Sequence, residues 1–289
     1  MGQRADFALM LSSFVKHKKA IIIRLMALLV IFAILIYSHL LKVVDYQFDD
    51  VGFKGNKNLN IALITDLHAC YYGDNQKWLV DILKQKQPDV ILLGGDIYDD
   101  KRSFDNADVL LSQLPTIAPT YYVDGNHENW LPQADYDKVM AKIHNHGISI
   151  IHGKSIAIPS TNVIIHGISD PDGGYFDKDL KAVTTDLNKN AVNVLLSHRP
   201  EHIDEYRNHD FDVILSGHAH GGQWRVPFLI NGVFAPNQGF LPKYAGGLYE
   251  FDDKKGKSKF IVSRGLARES TRVPRVFNRP ELVFVRLSE

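Results

Sequence analysis

The chain has 289 residues, 45 % of them hydrophobic, which is enough to bury a large core in one large or two small domains. Lysine plus arginine and aspartate plus glutamate each number 33, and the absence of a basic excess or stripe argues against nucleic acid as a partner. The single cysteine, Cys70, excludes a disulfide within the chain.

The first distinctive segment, residues 20–41, is almost wholly apolar, with Arg24 as its only charge. About 20 apolar residues span a bilayer as a helix, and no small-residue cleavage site follows. The segment therefore predicts a single membrane anchor, with a buried core helix as the alternative. The cations before its centre favour a cytoplasmic N-terminus and a large domain outside, although Lys42, Lys54 and Lys57 weaken the contrast. These cations are Arg4, Lys16, Lys18, Lys19 and Arg24. The predicted division is a basic N-terminus 1–19, an anchor 20–41, a polar connector 42–57 and a domain 58–289.

Within residues 58–289, short apolar runs alternate with helical patterns. Six runs suit buried strands: 61–65, 90–93, 121–123, 163–165, 194–196 and 213–215. Helical spacing of apolar residues around 78–83 and 139–143 ends before Pro88 and Gly147. Three later runs, 248–251, 260–263 and 282–287, predict antiparallel or edge strands. Periodicity alone thus predicts one α/β domain.

Five polar clusters each follow one of these apolar runs. They are Asp66-Leu67-His68, Gly95-Asp96, Gly125-Asn126-His127-Glu128, Ser197-His198 and Gly217-His218-Ala219-His220. Each cluster alone is ordinary loop or turn chemistry. Together they place carboxylate, amide and imidazole groups at strand ends, which converge on the crevice where α/β sheets bind ligands. Seven such side chains suffice for two metal ions, so the pattern predicts a two-metal hydrolase.

The order and spacing of these clusters resemble the calcineurin-like metallophosphoesterase superfamily. The series reads Asp66-x-His68, Gly95-Asp96-x-x-Asp99, Gly125 to Glu128, His198 and Gly217-His218-x-His220, and the resemblance covers residues 58–289. The motif GHAHGGQ at 217–223, with SRGL at 263–266 and NRPEL at 278–282, is similar to membrane-anchored bacterial phosphohydrolases. Many relatives have Thr in place of Ala219, which is not a ligand position. The resemblance implies two packed mixed β-sheets flanked by helices.

The resemblance also implies roles for individual residues. One divalent ion would be held by Asp66, His68, Asp96 and His220. The other would be held by Asp96, Asn126, His198 and His218, with Asp96 bridging both. A hydroxide activated by the two ions would attack phosphorus, His127 would serve the leaving oxygen as an acid, and Asp99 would orient His127. Imidazole, carboxylate and amide ligands do not determine which of manganese, zinc and iron is bound.

Other polar residues have more than one interpretation. Arg199, Arg264 and Arg268 could bind a substrate phosphate, but exposed salt bridges are the favoured interpretation for each. Cys70 is interpreted as a small apolar filler rather than a ligand. Histidines outside the clusters are predicted at the surface or in loops, among them His144, His146 and His166. Four aromatic residues after the last cluster could either pack on the core or form an apolar lip for acyl chains: Trp224, Phe228, Phe234 and Phe240.

The substrate is the least determined feature. An enzyme tethered by a helix works close to lipid headgroups, which favours a phosphodiester or pyrophosphate in a membrane-associated or lipid-linked molecule. UDP-2,3-diacylglucosamine pyrophosphatase activity is an alternative, although it needs a site on the cytoplasmic face and so conflicts with the predicted orientation. A non-catalytic metal-binding scaffold and a nuclease are further alternatives. The complete ligand set disfavours the scaffold, and the balanced charge disfavours the nuclease.

Overall fold

A computed structural model describes residues 2–185, 187–253, 256–268 and 273–289 of the chain. Helices and strands alternate through most of it, as the apolar runs predict. The helices are α1 Gly2–His39, α2 Lys77–Lys86, α3 Asp105–Leu111, α4 Asn126–Asn129, α5 Gln133–Asn145, α6 Phe176–Thr184 and α7 Ile203–Tyr206. The strands are β1 Lys42–Phe48, β2 Leu59–Ile64, β3 Val90–Gly94, β4 Thr120–Val123, β5 Ser149–Ile150, β6 Lys154–Ala157, β7 Val163–Gly167, β8 Val192–Leu196, β9 Val213–Ser216, β10 Phe234–Ala235, β11 Gly239–Phe240, β12 Gly247–Asp253, β13 Gly256–Val262 and β14 Glu281–Leu287.

Two six-stranded mixed sheets form the body of the domain. The first has the order β1-β14-β2-β3-β4-β5, with β2 to β5 parallel and β14 antiparallel to β2. The second has the order β12-β13-β9-β8-β7-β6, with antiparallel strands at both edges and parallel strands between them. Strands β10 and β11 pair separately.

The two sheets pack face to face because alternate residues of a strand point to opposite faces. In β2, Ile61 and Leu63 point inward and join one buried cluster with Val194 and Leu215 of the second sheet. The intervening residues of the same strand point outward and pack under α2, α3 and α5. The outer face of the second sheet is covered by α6 and α7 in the same way. The prediction of two packed mixed sheets flanked by helices is confirmed.

The segment predicted as a polar connector contains a strand. Residues 42–48 form β1, which pairs in parallel with β14 from Lys42 opposite Glu281 onward. Phe48 and Phe53 are buried in the cluster between the sheets. Frequent lysine and aspartate residues suggest a linker by composition, but an edge strand tolerates them on its exposed face. Because β1 covers it, β14 is an interior strand rather than an edge.

The apolar part of helix α1 is exposed outside the core of the domain. Its segment His17–His39 has a mean hydropathy of 2.8 and is largely exposed, so it is long and apolar enough to cross a membrane. Its last turn is fixed to the domain. The Ser38 side chain is buried, and its Oγ accepts a hydrogen bond from the Phe277 backbone N–H at 2.9 Å. The Arg279 guanidinium donates to the carbonyls of Leu40 and Leu41 at 2.9 and 2.7 Å.

Candidate metal centre

The carboxyl ends of five parallel strands meet at one edge of the two sheets, and the predicted ligands lie there. Asp66 and His68 follow β2, Asp96 follows β3, Asn126 begins α4 after β4, His198 follows β8, and His218 and His220 follow β9. Five of these seven residues have left-handed backbones: Asp66, His68, Asp96, His218 and His220, with φ between 47° and 63°. Such conformations are unfavourable for residues with a Cβ and concentrate at functional sites. The loops after these strands therefore adopt unfavourable backbone conformations where they carry the predicted ligands.

Two groups of metal-binding side chains share one carboxylate. In the first group, Asp66, His68, Asp96 and His220 offer donor atoms that all lie within 4.8 Å of one another. In the second, Asp96 does the same with His198 and His218. Asp96 Oδ2 lies 3.6 Å from His68 Nε2 and 3.1 Å from His198 Nε2, so one oxygen faces both groups.

Asn126 completes the set of seven. Its Oδ1 lies 3.2 Å from His198 Nε2, on the side of the second group. The structure thus brings together all seven residues that the sequence predicts as ligands, and their role as ligands stays a prediction. Asp96 approaches the backbone next to Asn126 so closely that position 125 must be glycine, because a Cβ at Gly125 would overlap Asp96 Oδ1. A third group, His68, Asp99 and His127, also has donor atoms within 4.8 Å of one another.

The geometry of these side chains suits cations. The Nε2 atoms of His68 and His220 face each other at 3.2 Å, an arrangement in which two imidazoles can share a bound ion. Asp66 Oδ2 is buried and has no hydrogen-bond partner among the described residues. An unsatisfied buried carboxylate oxygen is costly unless a cation neutralises it. A divalent metal fits this donor set of imidazole, carboxylate and amide groups.

The ionisation of the buried groups supports the same conclusion. Burial opposes the charged forms of Asp66 and Asp96, but the neighbouring histidines outweigh it and hold the pKa of each carboxyl below its usual range. Burial likewise opposes protonation of His198, yet the charges of Asp96 and Asp66 raise its pKa to about 10. Burial and the positive charges of His198 and Arg199 lower the pKa of His218. The carboxylates thus demand compensating positive charge, which a metal ion supplies when bound.

His127 is held by a different carboxylate from the one predicted. Its Nδ1 lies 2.7 Å from Asp100 Oδ1 and 3.7 Å from Asp99 Oδ2. Asp99 Oδ2 is instead 3.0 Å from His68 Nδ1. Asp100 is thus the carboxylate at hydrogen-bond distance from His127, while Asp99 contacts a predicted metal ligand; the orienting role of Asp99 stays a prediction. Sequence spacing could not separate two adjacent aspartates, because the bend after β3 decides which of them faces His127.

Exchanging each of these two aspartates for asparagine separates their roles. Asp100→Asn should lower kcat about 10-fold to 100-fold at saturating metal, because His127 loses the partner that orients its ring. Asp99→Asn should weaken metal binding about 10-fold to 100-fold, because it removes the hydrogen-bond partner of His68. Calorimetric titration of manganese into chelator-treated protein, with kcat measured at saturation, gives both quantities. The two variants are matched controls for each other, and a reversed pattern would restore Asp99 as the partner of His127.

Glu128 connects the loops that carry the site. Its buried carboxylate accepts hydrogen bonds from the backbone N–H groups of Asp96, Ile97, Tyr98 and Gly125, at 2.7 to 2.9 Å. Burial and the nearby Asp96 charge raise its pKa to about 7. The sequence contains Glu128 within a recognised cluster but gives no indication of this role. It fixes the loop after β3 against the start of α4, and so fixes Asp96 relative to Asn126.

The three candidate arginines differ in position. Arg199 is buried rather than exposed: it pairs with Asp170 at 2.6 Å, and its Nη1 lies 3.2 Å from His218 Nε2. Arg264 is also buried and pairs with Glu281 at 2.8 Å, which corrects the expectation of an exposed salt bridge for both. Arg268 is partly exposed and lies over the rings of Tyr72 and Trp78. Of the three, Arg199 contacts a predicted ligand, His218.

Three minor predictions can also be compared with the structure. His166 is buried in β7, where its ring contacts Ser155 Oγ at 2.8 Å and Asn193 Oδ1 at 3.1 Å, so the surface prediction is wrong for it. An apolar strand can bury a histidine when both ring nitrogens find partners. His144 is exposed and His146 is half-buried, as predicted. Cys70 is buried in the core beneath α2, as predicted for an apolar filler.

A cleft of about 330 Å³ opens beside these residues. Its polar lining includes Asp96, Asn126, His127, His218 and His220. Its apolar lining includes Trp130, Phe234, Pro236 and Val273. Asn237 also lines the cleft, and its Oδ1 lies 3.0 Å from both His218 Nε2 and Arg199 Nη1. No motif marks Asn237 or Trp130, because the loop after His220 and the turn after α4 bring them to the cleft only in the folded chain.

The two-sheet α/β body and the paired histidine and aspartate groups at its strand ends define a metal-dependent hydrolase. The chain belongs to the calcineurin-like phosphoesterase family, whose model matches residues 59–222. Its members hydrolyse phosphoester bonds, and the chain is a hydrolase of this class. The family confirms the resemblance to the superfamily, while the finer assignment to the membrane-anchored branch stays a prediction.

Three relatives are informative. The uncharacterized metallophosphoesterase Cj0846 of Campylobacter jejuni is 29 % identical over 275 residues, which are 91 % of this chain and 69 % of that protein. Phosphodiesterase YaeI of Escherichia coli is 29 % identical over 207 residues, covering 70 % and 72 % of the two chains. UDP-2,3-diacylglucosamine pyrophosphatase LpxG of Chlamydia muridarum is 30 % identical over 162 residues, covering 55 % of this chain and 47 % of LpxG. The match to LpxG therefore spans about half of each protein.

Proposed function

We propose that this chain hydrolyses a phosphodiester or pyrophosphate bond in a membrane-associated or lipid-linked molecule. The observation that carries the proposal is the cleft itself. Its lining combines residues of the two metal-binding groups that share Asp96 with apolar side chains such as Phe234 and Val273. A substrate that is charged at phosphorus and apolar beside it complements both kinds of lining. A phosphodiesterase and a pyrophosphatase of a diacylated sugar nucleotide among the relatives support the same class.

The donor atoms divide between two divalent ions as the resemblance implies. Asp66, His68, Asp96 and His220 would hold one ion, and Asp96, Asn126, His198 and His218 would hold the other. When bound, divalent ions neutralise charge on a phosphate and bring the pKa of water toward neutrality. Manganese, zinc and iron all suit these donors.

His127 would assist the leaving group. Its ring lines the cleft, and Asp100 engages Nδ1, which leaves Nε2 as the nitrogen that can donate a proton to the departing oxygen. Asp100 fixes the orientation of the ring. Arg199 contacts His218 and is fixed by its pairing with Asp170. Its role would therefore be to position His218 rather than to bind the substrate.

The proposed organisation places the chain in a membrane by one helix. Residues 20–41 form the anchor, the N-terminus lies in the cytoplasm, and residues 58–289 form the catalytic domain outside. The exposure and hydropathy of His17–His39 support the anchor. The cations before the helix support the orientation. Strand β1 extends the structured unit to residue 42.

Hydrolysis assays on the full-length protein in detergent test the proposal. After chelation and addition of manganese, we expect turnover of bis(p-nitrophenyl) phosphate and of a phospholipid or other lipid-linked diester. UDP-2,3-diacylglucosamine is the second substrate to test, because the likeness to LpxG favours a pyrophosphate as the alternative. Turnover of soluble esters combined with none of either lipid class would contradict the lipid-linked substrate. Metal-loaded protein without turnover of any diester or pyrophosphate would contradict the proposed reaction.

A further inference from the structure

The loop after His220 carries a set of exposed apolar side chains, here called the apolar rim: Trp224, Val226, Phe228, Leu229, Phe240 and Leu241. Phe228 is fully exposed, and Leu229 and Phe240 are 83 % and 80 % exposed. Large side chains of this kind are scattered singly on most soluble surfaces, whereas a contiguous exposed set marks an interaction site.

The rim is held in its exposed position by its own backbone. Val226 and Ile230 close a turn with two backbone hydrogen bonds of 2.8 and 3.0 Å, which places Phe228 and Leu229 at the tip. Phe228 itself has a φ of 68°, which is unfavourable for an aromatic residue. A closed turn that presents strained, exposed apolar residues indicates a function for them.

The rim is continuous with the mouth of the cleft. Strands β10 and β11 pair Phe234 with Phe240, and their rings lie 5.4 Å apart. Phe234 lines the cleft, whereas Phe240 belongs to the rim. The two rings therefore join the rim to the lining of the cleft.

The rim is also joined to the end of the apolar helix. The Arg225 N–H donates to the Val276 carbonyl at 3.0 Å, and Trp224 Nε1 donates to the Pro274 carbonyl at 2.8 Å. The next residue of that segment, Phe277, donates to Ser38 in the last turn of α1. Two hydrogen-bonded steps thus connect the rim to the point where the exposed helix meets the domain.

The charge of the loop fits a lipid surface. Residues 221–249 contain no aspartate or glutamate, and their only charged side chains are those of Arg225 and Lys243. Apolar side chains flanked by cations are typical of segments that lie in the interface of a membrane containing anionic lipids.

We infer that the apolar rim docks on the bilayer that α1 enters, so that the cleft opens against lipid headgroups. The partner is the lipid surface itself. The inference deepens the proposed function, because it rests on a membrane-associated substrate and explains how that substrate reaches the cleft. Phe228 and Leu229 enter the interface, while Phe240 and Phe234 offer an apolar path from the bilayer to the metal-binding groups.

Depth-dependent fluorescence quenching in nanodiscs tests this docking. The full chain, with Phe228→Cys carrying an environment-sensitive probe, is placed in discs of phosphatidylcholine and phosphatidylglycerol that contain spin-labelled lipids. The matched control is Lys57→Cys, an exposed position before the amino end of β2 and so away from the site. We expect at least about threefold stronger quenching at position 228 than at position 57. Equal quenching at the two positions would overturn the inference.

A second variant separates docking from catalysis. The double variant Phe228→Ser/Leu229→Ser should hydrolyse bis(p-nitrophenyl) phosphate as the unchanged protein does, which also reports that it folds. Its hydrolysis of a lipid diester in nanodiscs should fall about tenfold. If the lipid is hydrolysed equally well by both proteins, the docking inference fails and the proposed function stands. If neither hydrolyses any lipid but position 228 is quenched, the docking stands and the proposed substrate fails.

Discussion

Asp96→Asn is expected to lose bound metal and activity together. Asp96 Oδ2 faces both metal-binding groups, so its negative charge would attract a cation to either of them. Asparagine keeps the shape and can still accept the hydrogen bond from the His127 N–H to Oδ1, but it removes the negative charge. We expect metal per chain to fall well below that of the unchanged protein after dialysis. Diester hydrolysis should fall on the order of 10³-fold. Elemental analysis and kcat measured on the same samples give both results.

The matched control for this variant is Asp81→Asn. Asp81 lies on the surface of α2, pairs with Lys77 and belongs to none of the metal-binding groups found among the described residues. Its exchange for asparagine should leave metal content and turnover unchanged, since exposed pairs contribute little. If Asp96→Asn kept its full metal content and more than a tenth of its activity, the shared carboxylate could not be the centre of the site.

His127→Ala is expected to keep its metal and lose turnover. The ring lines the cleft and would donate a proton to the leaving oxygen, a contribution that is typically worth about 10²-fold to 10⁴-fold. The loss should be greater for an alkyl diester than for bis(p-nitrophenyl) phosphate, because p-nitrophenolate leaves without being protonated. Comparing kcat for the two substrates, with metal content measured in parallel, tests the assignment.

His144→Ala is the matched control for this substitution, because His144 is exposed on α5. The outcome also separates two interpretations of the structure. His127 belongs to a third group with His68 and Asp99 whose donor atoms lie close enough to hold an ion. Loss of metal in His127→Ala would make it a ligand in that group. Equal losses for both leaving groups would exclude proton donation as its role.

The candidate site could be predicted from the sequence because its chemistry lies at strand ends. Apolar runs locate the strands, and polar clusters directly after them locate the edge of the sheet at which their side chains converge. All seven predicted ligands, including residues as distant in sequence as Asp66 and His220, meet there. Face-to-face packing of the sheets came from the resemblance, since alternation alone does not say what covers a strand.

The features that the sequence could not predict depend on the course of the backbone in loops and on contacts between residues distant in the chain. Whether Asp99 or Asp100 faces His127 is decided by the backbone after β3. Arg199 is buried because Asp170 meets it there, and nothing in the local sequence of either residue indicates the pairing. Strand β1 resembles a linker in composition and becomes a strand only because β14 offers it an edge. The loop after His220 contains aromatic residues that could have packed inward, and the fold leaves Phe228 outside.

The junction between α1 and the first sheet is short, which restricts how the domain can move relative to the helix. The helix ends at His39 and β1 begins at Lys42, so only residues 40 and 41 connect the two elements. Arg279 and Phe277 clamp this joint from the far end of the chain. With α1 in a bilayer, as proposed, this short junction would hold the domain at one height above the lipid. A lipid-linked substrate would then reach the cleft by lateral diffusion within the membrane.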